Sequence, residues 1–122
     1  MSGQESRLLG RWGEALAADW LRKQGCTVLE ANWRCRFGEL DLIVQDGEFL
    51  CFVEVKLRKS SQYGRAGEFV DRRKQGKLRT AAELYLSLNP SMLQPRFDVV
   101  EIDAPQGMDT GEPIVRRIAN AF

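Results

Sequence analysis

Residues 38–56 read GELDLIVQDGEFLCFVEVK. Two runs rich in apolar residues flank Asp46-Gly47, a strong signal for a type I′ hairpin turn. With those two residues at the centre of the turn, Gln45 pairs with Glu48, Val44 with Phe49, Ile43 with Leu50, Asp41 with Phe52 and Glu39 with Glu54. Side chains alternate faces along a strand, and directly opposed residues share a face. Glu39, Asp41, Phe52, Glu54 and Lys56 therefore project to one side. Leu40, Leu42, Val44, Val53, Val55 and Leu57 project to the other, which is purely apolar and must be core.

The charged face carries apolar residues too. Ile43, Leu50 and Phe52 share it, which argues for a covered surface rather than an exposed Glu/Lys ladder. On this pairing Asp41 is diagonal to Glu54, about 7–8 Å away along the backbone, and the two carboxylates can lean together. Adjacent carboxylates repel and are costly to keep ionised in a partly buried place. A divalent cation relieves that cost, and oxygen-only ligands suit Mg²⁺ or Mn²⁺. Lys56, one step along the same face, can hold an attacking water or neutralise a phosphoryl oxygen.

Working outward, residues 5–24 read as a helix, with Leu9, Trp12, Leu16 and Trp20 at spacings of three and four and Gly25 as the stop. Residues 26–33 are a short strand, followed by a basic bend at Arg34-Cys35-Arg36. SSQYGRAGE (60–68) is a loop and a candidate functional segment. Asp71 is the expected N-cap of a helix at 72–88, with Leu78, Ala81, Ala82 and Tyr85 inward and Asn89-Pro90 as terminator. FDVVEID (97–103) is a strand, 105–113 a loop, and IVRRIANAF a last strand. The order α-β-β-β-α-β-β places a helix between the third and fourth strands, the crossover that parallel pairing requires. The expected architecture is one α/β domain over 1–122: an antiparallel meander, a parallel strand added later, and helices on the faces of the mixed sheet.

Composition narrows the chemistry. The 122 residues contain no histidine, which removes His-based triads and His metal ligands. Catalysis must run on carboxylates, lysines or water activated by a hard metal. Cys26, Cys35 and Cys51 show no CxxC spacing and read as buried or incidental thiols. There is no apolar signal-peptide core and no run of roughly 20 apolar residues, so the expectation is a cytoplasmic protein without a membrane partner. Net charge is only +1, but residues 56–79 hold nine Lys/Arg against Glu68 and Asp71, leaving that segment +7 and the remainder −6. Such asymmetry either marks a solvated face or makes a local field for phosphates.

Asp41 followed by Glu54-Val55-Lys56 on the next strand resembles the PD-(D/E)XK nuclease core of the restriction-endonuclease-like fold. More closely, GRWGEALAADWL (10–21), NWRCRFGELDLI (32–43), FVEVKLR (52–58), the RRK of 72–74 and RFDVV (96–100) are similar to the YraN-like family of uncharacterised bacterial proteins. That likeness covers nearly the whole chain. It implies a fold like that of archaeal Holliday-junction resolvases and a metal-dependent phosphodiesterase site. Asp41 and Glu54 would ligate the metal with help from the Val55 carbonyl, Lys56 would be the catalytic lysine, and Glu14 would match the additional acid of resolvase-like relatives. Leu40 stands where the superfamily motif has proline. Resolvase-like relatives also imply a homodimer.

Other residues are read on their own terms. Glu14 lies at the edge of the buried arc of its helix, beside Gly10 and Gly13, as a boundary ion pair or as part of the site. Glu39 either supports the neighbouring acids or pairs with Arg34 or Arg36. Lys74 lies in the first turn of the second helix, where free amides favour anions. Arg34, Arg58 and Lys74 are the candidate nucleic-acid contacts. Asp98 is buried against the site or pairs with Arg96 or Arg117, and Trp33 either packs in the core or stacks a base. These readings lead to a Mg²⁺- or Mn²⁺-dependent endonuclease acting on DNA, favoured over RNA, including branched or structured DNA. The alternatives are a non-catalytic nucleic-acid-binding module on the same fold and a purely structural interaction domain.

Overall fold

The computed structural model describes residues 3–59 and 70–122. The 60–68 segment predicted as a loop lies outside the described residues. Helix α1 spans Gly3–Lys23, and strands β1 (Thr27–Cys35), β2 (Gly38–Asp46) and β3 (Phe49–Arg58) follow. Helix α2 (Arg72–Leu88), strand β4 (Gln94–Asp103), a short 3-10 helix (Gly107–Asp109) and strand β5 (Ile114–Ile118) complete the order. The strands form a single five-stranded sheet in the order β1-β2-β3-β4-β5. Among the described residues only β3 and β4 run parallel, and α2 lies in the connection between them.

The sheet separates two apolar clusters. Ala17, Ala18 and Leu21 of α1 pack on Leu42, Val44, Val53, Val100 and Ile102. Leu78, Ala81, Ala82 and Tyr85 of α2 pack on Ile43, Leu50, Phe52 and Val99. Both faces of β2 and β3 are thus covered, as Ile43, Leu50 and Phe52 predicted. Helix α2 begins as its sequence indicates: the Asp71 side chain accepts the Lys74 N–H at 2.8 Å, and Asn89 caps the other end. An extended-region Asp at this position satisfies one of the helix's orphan amides.

The hairpin register differs from expectation by two residues. Asp46 pairs with Phe49, Val44 with Cys51, Ile43 with Phe52 and Leu42 with Val53, so Gly47 and Glu48 form the turn. Gly47 has φ +59° while Glu48 stays at negative φ. A glycine first and an ordinary residue second is the type II′ pattern, whose twist suits the flanking strands. A shift of two preserves the alternation of faces but changes who opposes whom. The ladder stops at Leu42 and Val53, so Asp41 and Glu54 are the first residues beyond it and the expected Glu39–Glu54 pair is not formed.

Leu40 is the second correction. It lies with Trp33, Ile43 and Phe52 against α2, not with Leu42 and Val44. The cause sits on the neighbouring strand. Ala31 pairs with Leu42 and Trp33 with Leu40, leaving Asn32 opposite Asp41, and Asn32 has φ +55°. One left-handed residue inside a strand breaks the pleat and turns the residues beyond it. Trp33 follows the same turn and packs edge-on against Tyr85, ring centroids 5.3 Å apart, so it belongs to the core.

Candidate active site

The site forms where β2 leaves β3. Their ladder ends at Leu42 and Val53, and β2 continues along β1 alone to Gly38. At the parting, the Val55 backbone N–H donates to Asp41 Oδ2 at 2.9 Å. Helix α1 contributes Glu14 from the other side, its Gly13 being buried against Leu57 and Ile102. Asn32 ties the acids together. Its Nδ2 donates to Glu14 Oε1 at 2.6 Å and to Glu39 Oε1 at 2.7 Å. Glu14, Glu39 and Asp41 each present an oxygen within 4.8 Å of the others.

Glu54 stands on the other side of Asp41 and is only 6% exposed. Lys74 Nζ donates to its Oε1 at 2.9 Å, and Lys56 Nζ is 3.9 Å from the same oxygen. The structure thus brings Glu14, Glu39 and Asp41 into one group and Glu54, Lys56 and Lys74 into a second beside it. Arg34 reaches Glu39, Nε to Oε2 3.7 Å, from an exposed position. Arg58 continues the Glu54–Lys56 face in β3, next to Asp103 on β4. Asp98 lies elsewhere, fully buried and held by Arg96 at 2.9 Å, Arg117 at 2.8 Å and the Asn120 amide at 2.9 Å. It pairs with both arginines and takes no part in the site.

Electrostatics follow from this layout. Burial, then the charges of Glu54, Glu14 and Glu39, lift the Asp41 carboxyl from 3.8 to about 8, against the pull of the Val55 amide. Burial and the neighbouring Lys74 lower Lys56, and Glu54 only partly offsets them. Lys74 is itself desolvated, yet its hydrogen bond and charge contact with Glu54 outweigh this and raise it. A carboxyl raised this far within a group of carboxylates is an arrangement that a bound cation would relieve. The donor set is all oxygen, which fits Mg²⁺ or Mn²⁺ rather than a soft metal.

Asn32 is the site residue that composition and spacing did not single out. Its signal was present in outline: an Asn among strand formers is the residue best suited to positive φ after glycine. Nothing local says that its amide will face two glutamates, because one of them comes from α1, 18 residues away.

A mixed α/β sheet flanked by two helices, with an acidic centre where two strands part, defines the class of this protein. The chain belongs to the uncharacterised protein family UPF0102, whose profile matches residues 13–102. It is 44% identical over 118 residues to the UPF0102 protein of Syntrophomonas wolfei, covering 96% of this chain and 99% of that one. It is 46% identical over 115 residues to that of Frankia casuarinae, covering 93% and 95%. The match to the protein of Pseudomonas aeruginosa is 42% over 121 residues, covering 98% and 95%. No helix among the described residues is long and apolar enough to cross a membrane.

Proposed function

We propose that this protein is a divalent-cation-dependent phosphodiesterase acting on nucleic acid, with DNA favoured. The observation that carries this reading is Asp41: a half-buried acid lifted to about 8 by desolvation and three neighbouring carboxylates, one of which, Glu54, is held by Lys74 and approached by Lys56. A merely structural site would pair such an acid with a cation side chain, as Asp98 is paired. Asp41 and Glu14, with Glu39 behind them, would hold Mg²⁺ or Mn²⁺; Glu54 and the Val55 carbonyl are the further ligands implied by the motif. Bound there, the cation supplies Lewis-acid stabilisation of charge on a phosphoryl oxygen.

The chain's own groups do the remaining work. Asn32 fixes Glu14 and Glu39 in orientation. The Val55 amide holds the Asp41 carboxylate at the mouth of the strand gap. Lys56, with its pKa lowered, can hold a water and exchange a proton with it more readily than an ordinary lysine. Lys74 pairs with Glu54 and would bring positive charge near a scissile phosphate. The test is Mg²⁺-dependent cleavage of labelled junction, flap, single-stranded and duplex substrates, with Asp41→Asn and Glu14→Gln as controls. Cleavage by Asp41→Asn at the parental rate would falsify the proposal.

A second reading is a binding module without turnover. It is favoured by the Lys74–Glu54 pair, which satisfies one motif acid without a metal. Calorimetric titration with Mn²⁺ separates the two, since only the enzyme reading needs a carboxylate-dependent metal site.

A further inference from the structure

The geometry points to a single-strand track: the groove between α2 and the tip of the β1–β2 hairpin binds single-stranded nucleic acid, with a base stacked on Phe37 and the backbone on Arg73, Lys74 and Lys77. This deepens the proposed function by naming the form of the substrate, and it rests on that reading only for where the track leads. Two adjoining hollows make the groove. One, of about 430 Å³, is lined by Phe37, Glu39, Arg73, Lys74, Lys77 and Leu78 among others. The next, of about 550 Å³, shares Phe37, Arg73 and Lys77 and adds Arg36, Gly76 and Thr80. Aromatic and aliphatic side chains in a cationic rim are the chemistry of a single-strand site.

Phe37 packs at the edge of the α2-side cluster, and among the described residues it has no ring partner. Trp33, Tyr85, Phe52, Phe97 and Phe122 pack on one another. Phe37 carries the Arg36 guanidinium, 4.8 Å from its ring centroid. Arg79 likewise lies over Phe97 and Phe122, 5.0 and 5.6 Å from their centroids, but those rings also have aromatic neighbours. Phe37 is instead covered by an exposed side chain that an incoming base can displace. In a duplex the base faces are buried in the stack and only their edges are offered. A ring in a groove therefore selects a splayed or single strand. From residue 73 to residue 80 the helix advances roughly 10 Å, room for about three nucleotide steps at stacked spacing.

The track leads to the acids. Glu39 lines the first hollow and also a cleft of about 440 Å³ on the α1 side, with Arg7, Arg11, Glu14, Asn32 and Arg34. Basic side chains thus flank the acidic centre on both sides. A strand lying in the groove can pass the Asp41 group and continue over Arg7, Arg11 and Arg34.

The test is binding of a fluorescein-labelled oligonucleotide in EDTA, so that neither metal nor turnover is involved. Deoxy- and ribo-oligonucleotides of one sequence separate the two sources of the same chemistry. The intact protein is expected to bind the single strand more tightly than the matching duplex. Phe37→Leu keeps apolar volume and should weaken single-strand binding roughly 5- to 100-fold, while Phe37→Tyr retains it. Lys77→Ala should lower the slope of log affinity against log salt by about 0.7, whereas Phe37→Leu leaves that slope unchanged. Gly76 offers a block that spares the fold, because a Cβ there meets nothing within 4 Å. Gly76→Gln should raise Tm by improving helix propensity while reducing single-strand affinity. Equal affinity for single strand and duplex, or parental binding by both Phe37→Leu and Gly76→Gln, overturns the track. Because no metal is present, loss of cleavage in other variants leaves this result untouched.

Discussion

The Val55 backbone N–H donates to the Asp41 carboxylate at 2.9 Å where the ladder between β2 and β3 stops. That bond favours the ionised form of an acid that burial and the charges of Glu54, Glu14 and Glu39 push toward protonation. The folded Asp41 titrates at about 8 and the unfolded chain at 3.8. The raised value means that the folded state keeps a proton the unfolded chain has released. That contribution is complete below 3.8 and is lost as pH rises toward about 8. In EDTA, Tm should therefore fall across this window, and Asp41→Asn should flatten the fall and raise Tm near neutrality. Mg²⁺ should raise the Tm of the parent and leave Asp41→Asn unmoved. Scans by differential calorimetry in EDTA and in Mg²⁺ measure all of this, and a parental Tm independent of pH across the window contradicts it.

Lys74→Met removes the closest cation from a glutamate that is only 6% exposed. Because the Lys74 side chain is 44% exposed, the loss should be about 1–2 kcal/mol, below the 3–5 of a fully buried pair. Lys56 responds as well. Lys74 repels its charge and competes for Glu54, so removing Lys74 should raise the Lys56 pKa. Amine labelling followed by mass spectrometry across pH should show Lys56 reacting at higher pH in the variant. Labelling at the same or lower pH argues against this coupling.

Asn32 does two jobs that substitutions can separate. Asn32→Gly keeps the φ +55° backbone free of strain but deletes the amide that bridges Glu14 and Glu39. Asn32→Ala deletes the amide and adds strain, so it should be less stable than Asn32→Gly by about 1 kcal/mol. Both should lose Mn²⁺ affinity to a similar degree, since both leave the two glutamates unaligned. Urea denaturation and Mn²⁺ calorimetry report the two effects independently. Equal stability of the two variants would show that the backbone at Asn32 carries no strain.

How much of this was readable beforehand depends on how local each cause is. The α2 boundaries, its Asp71 cap and its inward residues Leu78, Ala81, Ala82 and Tyr85 come from spacing and capping within one segment, and they match. The side on which Asp41 and Glu54 meet follows from strand alternation, which survives a two-residue slip. The slip itself was not readable from Asp46-Gly47, because glycine serves either as the first or the second residue of a tight turn. Leu40 was misplaced because its direction is set by Asn32 on the neighbouring strand. The grouping of Glu14 with Glu39 and Asp41 joins α1 to β2, and helix position alone left Glu14 as either a boundary ion pair or part of the site.

Asp98 supplies the opposite limb of the pH profile. Burial raises its pKa, but the Arg96 bond, the Asn120 amide and Arg117 outweigh burial and set it below 3.8. A depressed carboxylate contributes stability that is present above the unfolded value and is lost as pH falls through the folded one. Acid unfolding of the parent should therefore begin below the Asp41 window. Asp98→Asn should cost about 3–5 kcal/mol, because two largely buried guanidinium groups lose their shared anion. Asp46, 3.0 Å from Arg117 Nη1, can take up part of that charge and favours the lower end. The network lies around Cys26 and Cys51, on the α1 side of the sheet and away from Glu54 and Lys74. Asp98→Asn at a temperature where it remains folded should thus keep parental Mn²⁺ affinity and single-strand binding. Loss of either would place Asp98 within the site after all.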